Sequence, residues 1–369
     1  MSDIEKQWKA MLDISDQGVL RRYLQDKQVF RASGEERMQE LKSAPGELIN
    51  TSGELINTPG LYIRYFPGGV SGTVAFASDG EKSVIVKQAL PFLKVAERWE
   101  CDPRRMLIEH RALEVYERLI PQSVPQTILF DEENFIMVRQ AAPEGCPMWK
   151  TQLLGGLLDF QVAEQAAVAM LAVHNNTAGD STVRDTFIDD SVFYSLRINP
   201  YIENLLEKYP ELEKKAKQAI SFLMNEKIAL VHGDYSPKNI LVGDGRIYIL
   251  DMEVAHFGHP AFDLAFFSNH FLLKSIKNKI WKGAYLNMLR YMLDIYFAGM
   301  EYMDRGKLEK DTAKTLGFLL LARVDGKSPA EYITEDADKE LVRSLAFTII
   351  EDNIIDFKSV IETADKLLA

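Results

Sequence analysis

Only two cysteines, Cys101 and Cys146, occur in 369 residues, so no disulfide framework is available and a reducing compartment is expected. Long apolar runs are missing as well. No stretch of about 18 apolar residues occurs, so no segment is expected to span a membrane. The opening residues, MSDIEKQWKAML, lack a basic start followed by an apolar core, so no signal peptide is expected and the cytoplasm is the expected location. Positive charge is in deficit, with 43 Lys and Arg against 54 Asp and Glu and a formal net charge of −11. The field of such a chain repels polyanions, which argues against nonspecific binding to nucleic acid or anionic lipid. A single basic pocket for one phosphate-bearing ligand remains compatible with that balance. What is present, 47% hydrophobic and 26% charged residues, is the profile of a soluble globular protein with two domains or one bilobal unit.

Residues 1–49 read as a charged helical extension, with Val19, Leu20, Tyr23 and Leu24 at helical spacing. Within the following connection, Gly46–Ser52 (GELINTS) is repeated almost verbatim as Gly53–Pro59 (GELINTP). Seven residues are too few for a solenoid unit, so the copy reads as a slipped duplication in an exposed connection. From Leu61 the pattern changes to short strands, over 61–66, 73–77, 83–88, 127–130 and 135–139. One helix over 103–119 carries Met106, Leu107, His110, Leu113 and Leu119 as its stripe, with Glu114 and Glu117 toward solvent. Pro143, Gly145 and Pro147 mark a break. Beyond it, 159–175, 201–226, 261–303, 308–323 and the tail from Asp336 read as mostly helical, around an island of strand signal at 228–231, 240–242 and 247–250. The expected architecture is α+β, with a small antiparallel sheet lobe at 50–140 and a larger, mainly helical lobe at 141–369.

That island carries the chemistry: VHGDYSPKNILV, then IYILDMEVAHFGHPAFDLA. Asp234 and Asn239 stand five positions apart, and a Gly243-Asp244-Gly245 hairpin would fold Asp251 back beside them. Phosphoryl transfer needs a carboxylate for the nucleophile's proton, oxygen ligands for Mg²⁺ and a cation for the phosphates. Asp234 suits the first role, and Asn239 and Asp251, with Glu253 two positions on, suit the second. His232 is expected to hold the loop, and Asp263 to accept backbone N–H bonds from it. Metal-centred hydrolysis by His232, Asp234, Asp251, His256 and His259 is the weaker reading, because neither His-Glu-x-x-His nor His-x-His is present. Nor is there a Gly-x-Ser-x-Gly elbow for a serine hydrolase. In the sheet half, Pro67-Gly68-Gly69-Val70-Ser71-Gly72-Thr73 joins two strands, and glycine lets backbone N–H groups approach phosphate oxygens. Lys87 ends an apolar strand and needs a charge partner, for which Glu109 on the next helix is placed. His174, Trp149 and Trp281 read as packing residues.

The order of Gly-rich hairpin, strand lysine, helix glutamate, HGD-x4-N and D-x-E resembles the small-molecule kinases of the aminoglycoside phosphotransferase and choline kinase group. More narrowly, Val86-Lys-Gln-Ala-Leu-Pro-Phe-Leu93, Glu97-Arg-Trp99 and the Pro-Gly-Gly-Val-Ser start of the hairpin look like 5-methylthioribose kinases. The resemblance covers roughly residues 61–270 and implies a two-lobed protein-kinase-like fold. It also implies ATP and Mg²⁺, a nucleotide held by Gly68, Gly69, Ser71, Gly72, Lys87 and Glu109, and adenine against the backbone at Arg139, Gln140 and Ala141 between the lobes. Asp234 is then the catalytic residue, with Asn239, Asp251 and Glu253 on the metal and Arg323 reaching the substrate from the helical lobe. Only 12 positions separate Asp251 from Asp263, and position 233 is Gly, so a protein substrate and control by loop phosphorylation are not expected. The expected partner is a small-molecule hydroxyl compound, best a sugar such as methylthioribose, with no nucleic acid, no membrane and a homodimer as one option for assembly. An aminoglycoside or choline-type kinase and a silent nucleotide-binding regulator are the alternatives. Tyr235, Ser236, Pro237 and Lys238 depart from the family pattern where the substrate cleft begins.

Overall fold

Alternation of side chains in short strands builds the first of two compact units. A computed structural model describes residues 11–30, 61–66, 72–90, 102–351 and 354–368. The duplicated heptapeptide and the hairpin residues Gly68, Gly69 and Ser71 lie outside these. The first unit comprises Met1–His110 and Gln126–Ala141, the second Arg111–Pro125 and Ala142–Ala369.

In the first unit, β1 (Tyr62–Tyr65), β2 (Gly72–Ser78), β3 (Ser83–Ala89), β4 (Thr127–Asp131) and β5 (Ile136–Gln140) form one antiparallel sheet in the order β1-β2-β3-β5-β4. Pairing of Val86 with Ala75 and Val138 puts these on one face, and pairing of Lys87 with Val74 and Met137 puts those on the other. The first face is covered by α1 (Gln17–Asp26), whose Leu20, Tyr23 and Leu24 pack with Val84, Val86, Ile136 and Val138. Asp16 caps this helix by accepting the Val19 N–H at 2.8 Å. Gln88, fully buried, ties the preceding segment to the sheet: it accepts from Ile14 N and donates to the carbonyls of Leu12 and Asn134. The N-terminal segment is thus a layer of the sheet unit. On the opposite face stand Lys87, Arg139 and, from α2 (Arg105–Leu119), Glu109.

The second unit is built from α3 (Trp149–Leu154), α4 (Phe160–Thr177), α5 (Ser181–Thr186), α6 (Glu213–Asn225), α7 (Ala261–Lys277), α8 (Lys282–Gly299), α9 (Arg305–Asp325), α10 (Asp336–Glu351) and α11 (Phe357–Leu367). Every residue of α7 from Ala261 to Ile276 is buried, as befits a helix packed by α8, α9 and α10. Two small antiparallel pairs interrupt the helices: β6 (Ala229–Val231) with β9 (His256–Gly258), and β7 (Ile240–Gly243) with β8 (Arg246–Ile249). Asp244 and Gly245, both at positive φ, make the two-residue turn between β7 and β8 that the sequence suggests.

Residues 201–226 are mostly helical, as expected, but in pieces: Pro210 starts a separate short turn and α6 begins at Glu213. Two local readings are corrected. Strand β9 has no β-branched residue and escaped the sequence reading; its pairing with β6 creates it. Trp281 is not a core residue but 36% exposed, its ring laid over Gly156.

Gly156 has φ +80°, and a Cβ there would overlap the Trp281 ring. Gly156→Ala should therefore lower stability by roughly 1–3 kcal/mol. Gly283 lies in the first turn of α8 with nothing near its Cβ position, so Gly283→Ala should raise stability by about 0.5 kcal/mol. Thermal unfolding of the two variants should show shifts of opposite sign.

Candidate active site

The loop after β6 is held by a buried carboxylate from the first turn of α7. Asp263 accepts the backbone N–H of His232 at 2.7 Å on Oδ2 and that of Gly233 at 2.9 Å on Oδ1. His174 of α4 approaches Oδ2 through Nε2 at 3.3 Å, and its Nδ1 meets the Tyr296 hydroxyl at 2.6 Å. Burial alone would push the Asp263 carboxyl up; the His174 hydrogen bond and the His232 N–H hold it below the usual carboxylate range. His174 is therefore a hydrogen-bonded brace, more than the packing residue expected. His232 completes the loop. Its Nδ1 accepts from Asp234 N at 3.2 Å and its Nε2 lies 3.1 Å from the Leu250 carbonyl, so it bridges the segments that carry Asp234 and Asp251. Burial keeps this imidazole neutral. Gly233 sits at φ +75°, where a Cβ would lie 2.7 Å from the Val254 carbonyl, so no other residue fits.

Asp234 is 5% exposed, yet its carboxylate is well supplied. Oδ2 receives Lys238 Nζ at 2.9 Å, Arg197 Nη2 at 3.2 Å and Asn239 Nδ2 at 2.8 Å. Oδ1, also buried, has no partner among the described residues. Burial would raise the carboxyl, but the charges of Lys238 and Arg197 outweigh it and hold the group below its usual range. An ionised carboxylate with one idle oxygen is what a proton acceptor requires. Arg197 was not found from the sequence. It lies in a π-helical turn, Tyr194–Ile198, donates to the Gly233 carbonyl at 2.7 Å, and offers no motif beyond being a cation between Leu196 and Ile198. Lys238 appeared only as a departure from the family pattern.

Asn239 uses its amide N–H₂ on the Asp234 carbonyl and Oδ2, which turns its amide oxygen away from that residue. The Leu250 N–H donates to the Asn239 carbonyl at 2.9 Å, so the β7–β8 hairpin returns the chain beside it. Asp251 follows at φ +68°, uncommon for a residue with a side chain. Asp251 and Glu253 are both half-buried, and their negative field reaches Arg197, helping to hold its guanidinium above its usual value against burial. An amide oxygen with two carboxylates is a hard, all-oxygen donor set, which fits Mg²⁺ and not the nitrogen- or sulfur-rich sites of zinc. The two distal histidines are engaged elsewhere: His256 stacks on Phe193 at 3.8 Å between ring centroids, and His259 faces Asp311 at 3.4 Å.

In the first unit, Lys87 Nζ lies 2.7 Å from Glu109 Oε2, and both side chains are almost fully buried. Arg139 Nη1 approaches the other oxygen, Oε1, at 3.3 Å. The backbone of Arg139 was expected beside adenine; its side chain supports Glu109. The N–H groups of Gln140 and Ala141 are spent on the carbonyls of Gln126 and Ser83. Gly72 is required by packing, since a Cβ would lie 2.6 Å from the Gln88 carbonyl. Arg323, at the end of α9, donates through Nη1 to Tyr201 Oη at 3.3 Å and to Ser328 O at 2.6 Å.

Removing the carboxylate of Asp263 would strand two buried N–H groups, so Asp263→Ala should cost roughly 2–5 kcal/mol. The sign of its pH dependence follows from its depressed folded value. Its contribution is complete above the unfolded value of about 3.9 and is lost as pH falls through the folded one. Chemical denaturation across acid pH should therefore show a flatter acid limb for Asp263→Asn than for the parent.

The chain can be set beside known proteins on this geometry. The "Phosphotransferase enzyme family" model (APH) matches residues 63–274. A methylthioribose kinase of Bacillus mycoides (strain KBAB4) is 27% identical over 235 residues, 56% of this chain and 59% of that protein. Another, of Bacillus cereus, is 27% identical over 228 residues, 54% of this chain and 58% of that one. The match thus spans less than two thirds of these relatives. Among solved structures, the amicoumacin kinase hAmiN, in complex with AMP-PNP, Ca²⁺ and Ami, is similar with a TM-score of 0.50 at 13% identity. That likeness covers 89% of this chain and 97% of that one, and it shows the kinase-like fold. With the family match extending over more than half its length, the chain belongs to the phosphotransferase enzyme family.

Proposed function

We propose that this protein is an ATP-dependent kinase that moves the γ-phosphoryl group to a hydroxyl of a small, sugar-like molecule. The observation that carries the reading is Asp234: buried, held ionised by Lys238 and Arg197, with Oδ1 unpaired, five positions before Asn239. The family match and the relatives named methylthioribose kinase support the same class of reaction. In the step, the acceptor oxygen bonds to the γ-phosphorus as the bond from phosphorus to the ADP oxygen breaks. The hydroxyl proton passes to Asp234 Oδ1. A carboxylate of depressed pKa is a weak base, which suits a loose transition state in which the proton leaves late. Lys87, paired with a Glu109 that Arg139 also holds, supplies a fixed cation for the nucleotide phosphates. Asn239, Asp251 and Glu253 would hold Mg²⁺, which supplies charge neutralisation on the transferring group when bound. A cytoplasmic location fits the use of ATP and the absence of a disulfide framework.

The parts should fail differently. Asp234→Asn keeps the shape and removes the base, so turnover should fall roughly 10²–10⁴-fold with little change in nucleotide affinity. Asp251→Asn should weaken Mg²⁺-dependent ADP binding as well as turnover. Coupled ADP release against a panel of hydroxyl compounds, with calorimetric titration of ADP, separates the two; near-normal turnover by Asp234→Asn would overturn the base assignment.

The supporting pair can be tested apart from the base. Arg139→Met leaves the Lys87–Glu109 bond with one cation fewer, so Glu109→Gln should be the more damaging change. Glu109→Gln breaks the ion pairs that Glu109 makes with both Lys87 and Arg139, and breaking a buried pair costs about 3–5 kcal/mol. Urea titration should rank Glu109→Gln below Arg139→Met in stability.

A further inference from the structure

Two buried cations in the second unit, Lys274 and Arg323, form no ion pair with a described carboxylate; the field of Glu331 reaches both without contact. Lys274, on α7, is 0% exposed, and the protein oxygen it reaches is its own helix's His270 carbonyl at 3.2 Å. Arg323, on α9, is 9% exposed and finds only neutral oxygens, those of Tyr201 and Ser328, while its Nε has no partner. The nearby carboxylate, Glu331, is already taken by Lys150. Lys274 and Lys150 both stand over the ring of Tyr332, at 5.3 and 5.8 Å from its centroid. Isolated buried cations are costly and persist where something compensates them.

Two polar atoms without partners lie beside this charge: His270 Nε2 and Tyr332 Oη are buried and unbonded. Burial pushes Lys274 down to about 7, and the charges of Lys150 and Arg323 add to the effect. Burial, then Lys274, Arg323, Lys238 and Lys150, drive His270 well down, so these cations share one region. The region adjoins the base. Arg197, which pairs with Asp234, lies over the rings of Tyr201 and Phe266, at 5.9 and 5.7 Å. Tyr201 accepts from Arg323, and Phe266 meets His270 at 5.3 Å between centroids.

We infer that the phosphate acceptor carries an anionic group, a carboxylate or a phosphate, held by Lys274 and Arg323 while its hydroxyl faces Asp234. This rests on the kinase reading above and names its substrate class: an acidic hydroxyl compound, in place of a neutral sugar or a cationic amino alcohol. Choline and the polycationic aminoglycosides would be repelled by such a site.

Calorimetric titration of the full chain, with ADP and Mg²⁺ at saturation to fill the nucleotide site, tests this with matched probes. These are D-ribose against D-ribose 5-phosphate, glycerol against D-glycerate, choline, and inorganic phosphate alone. The acidic members should bind at least about tenfold more tightly than their neutral parents, the usual worth of a charge-assisted bond. Lys274→Met and Arg323→Gln should each erase that preference. Lys274→Met should also raise the melting temperature, because it removes a buried charge, so loss of binding could not be assigned to misfolding. Equal binding of neutral and acidic members, or a preference that survives Lys274→Met, would overturn the anion site. Acidic probes that bind through Lys274 without turnover of ATP would sustain the site and sink the kinase reading. Turnover with only neutral or cationic acceptors would do the reverse.

Discussion

Asp263 spends its two oxygens on the backbone N–H groups of His232 and Gly233 and on the imidazole of His174, all out of water. Everything at the candidate site depends on this arrangement. A carboxylate with fixed acceptors can hold a loop in one conformation because each bond it makes satisfies a buried donor that would otherwise be costly. The loop then needs a residue without a side chain at position 233, since the positive φ and the Val254 carbonyl leave no room for one. With His232 and Gly233 pinned, Asp234 has no freedom to turn away, and Arg197 reaches both the Gly233 carbonyl and the Asp234 carboxylate from one guanidinium. Helix α7 carries this anchor at its start and Lys274, which forms no ion pair with a described carboxylate, near its end. One buried helix therefore serves both the base and the region assigned here to the acceptor.

Charge is handled in the same way in both units. Glu109 lies between Lys87 and Arg139, and Asp234 lies between Lys238 and Arg197. In each case one buried carboxylate faces two cations; at Asp234 their charges keep the group ionised in surroundings that would otherwise favour the protonated form. Buried pairs of this kind contribute little net stability compared with apolar packing. Their value here is geometric: a lysine whose ammonium is fixed, and a carboxylate whose unpaired oxygen has one direction.

The architecture was largely legible in the sequence because its signals are local. Short β-branched and aromatic runs marked all five strands of the sheet to within a residue at each end, the Asp244-Gly245 turn marked the β7–β8 hairpin, and Pro103 and Pro121 bracketed α2. Where a signal was not local, the reading failed. Strand β9 exists because β6 needs a partner, not because His256–Gly258 favours extended backbone. Trp281 looked like core by composition, but its place over Gly156 at the surface follows from a backbone turn more than a hundred residues away.

The same division holds at the candidate site. Asp234, Asn239, Asp251 and Asp263 share one tract, and His232 sits beside Asp234, so spacing and residue type alone picked them out. Lys87 and Glu109 could be paired because a charge on an apolar strand demands a partner within reach. The sequence by itself therefore determined the class of chemistry, since carboxylates, an amide and a lysine at short separations are chemical facts of the chain. Only the tertiary structure decided how those groups are tuned. Arg197 and Arg139 are separated from their carboxylates by long stretches of chain, and Lys274 and Arg323 meet only because α7 and α9 pack together. Electrostatic fields act through space, over a few ångströms, and the sequence records no such distances.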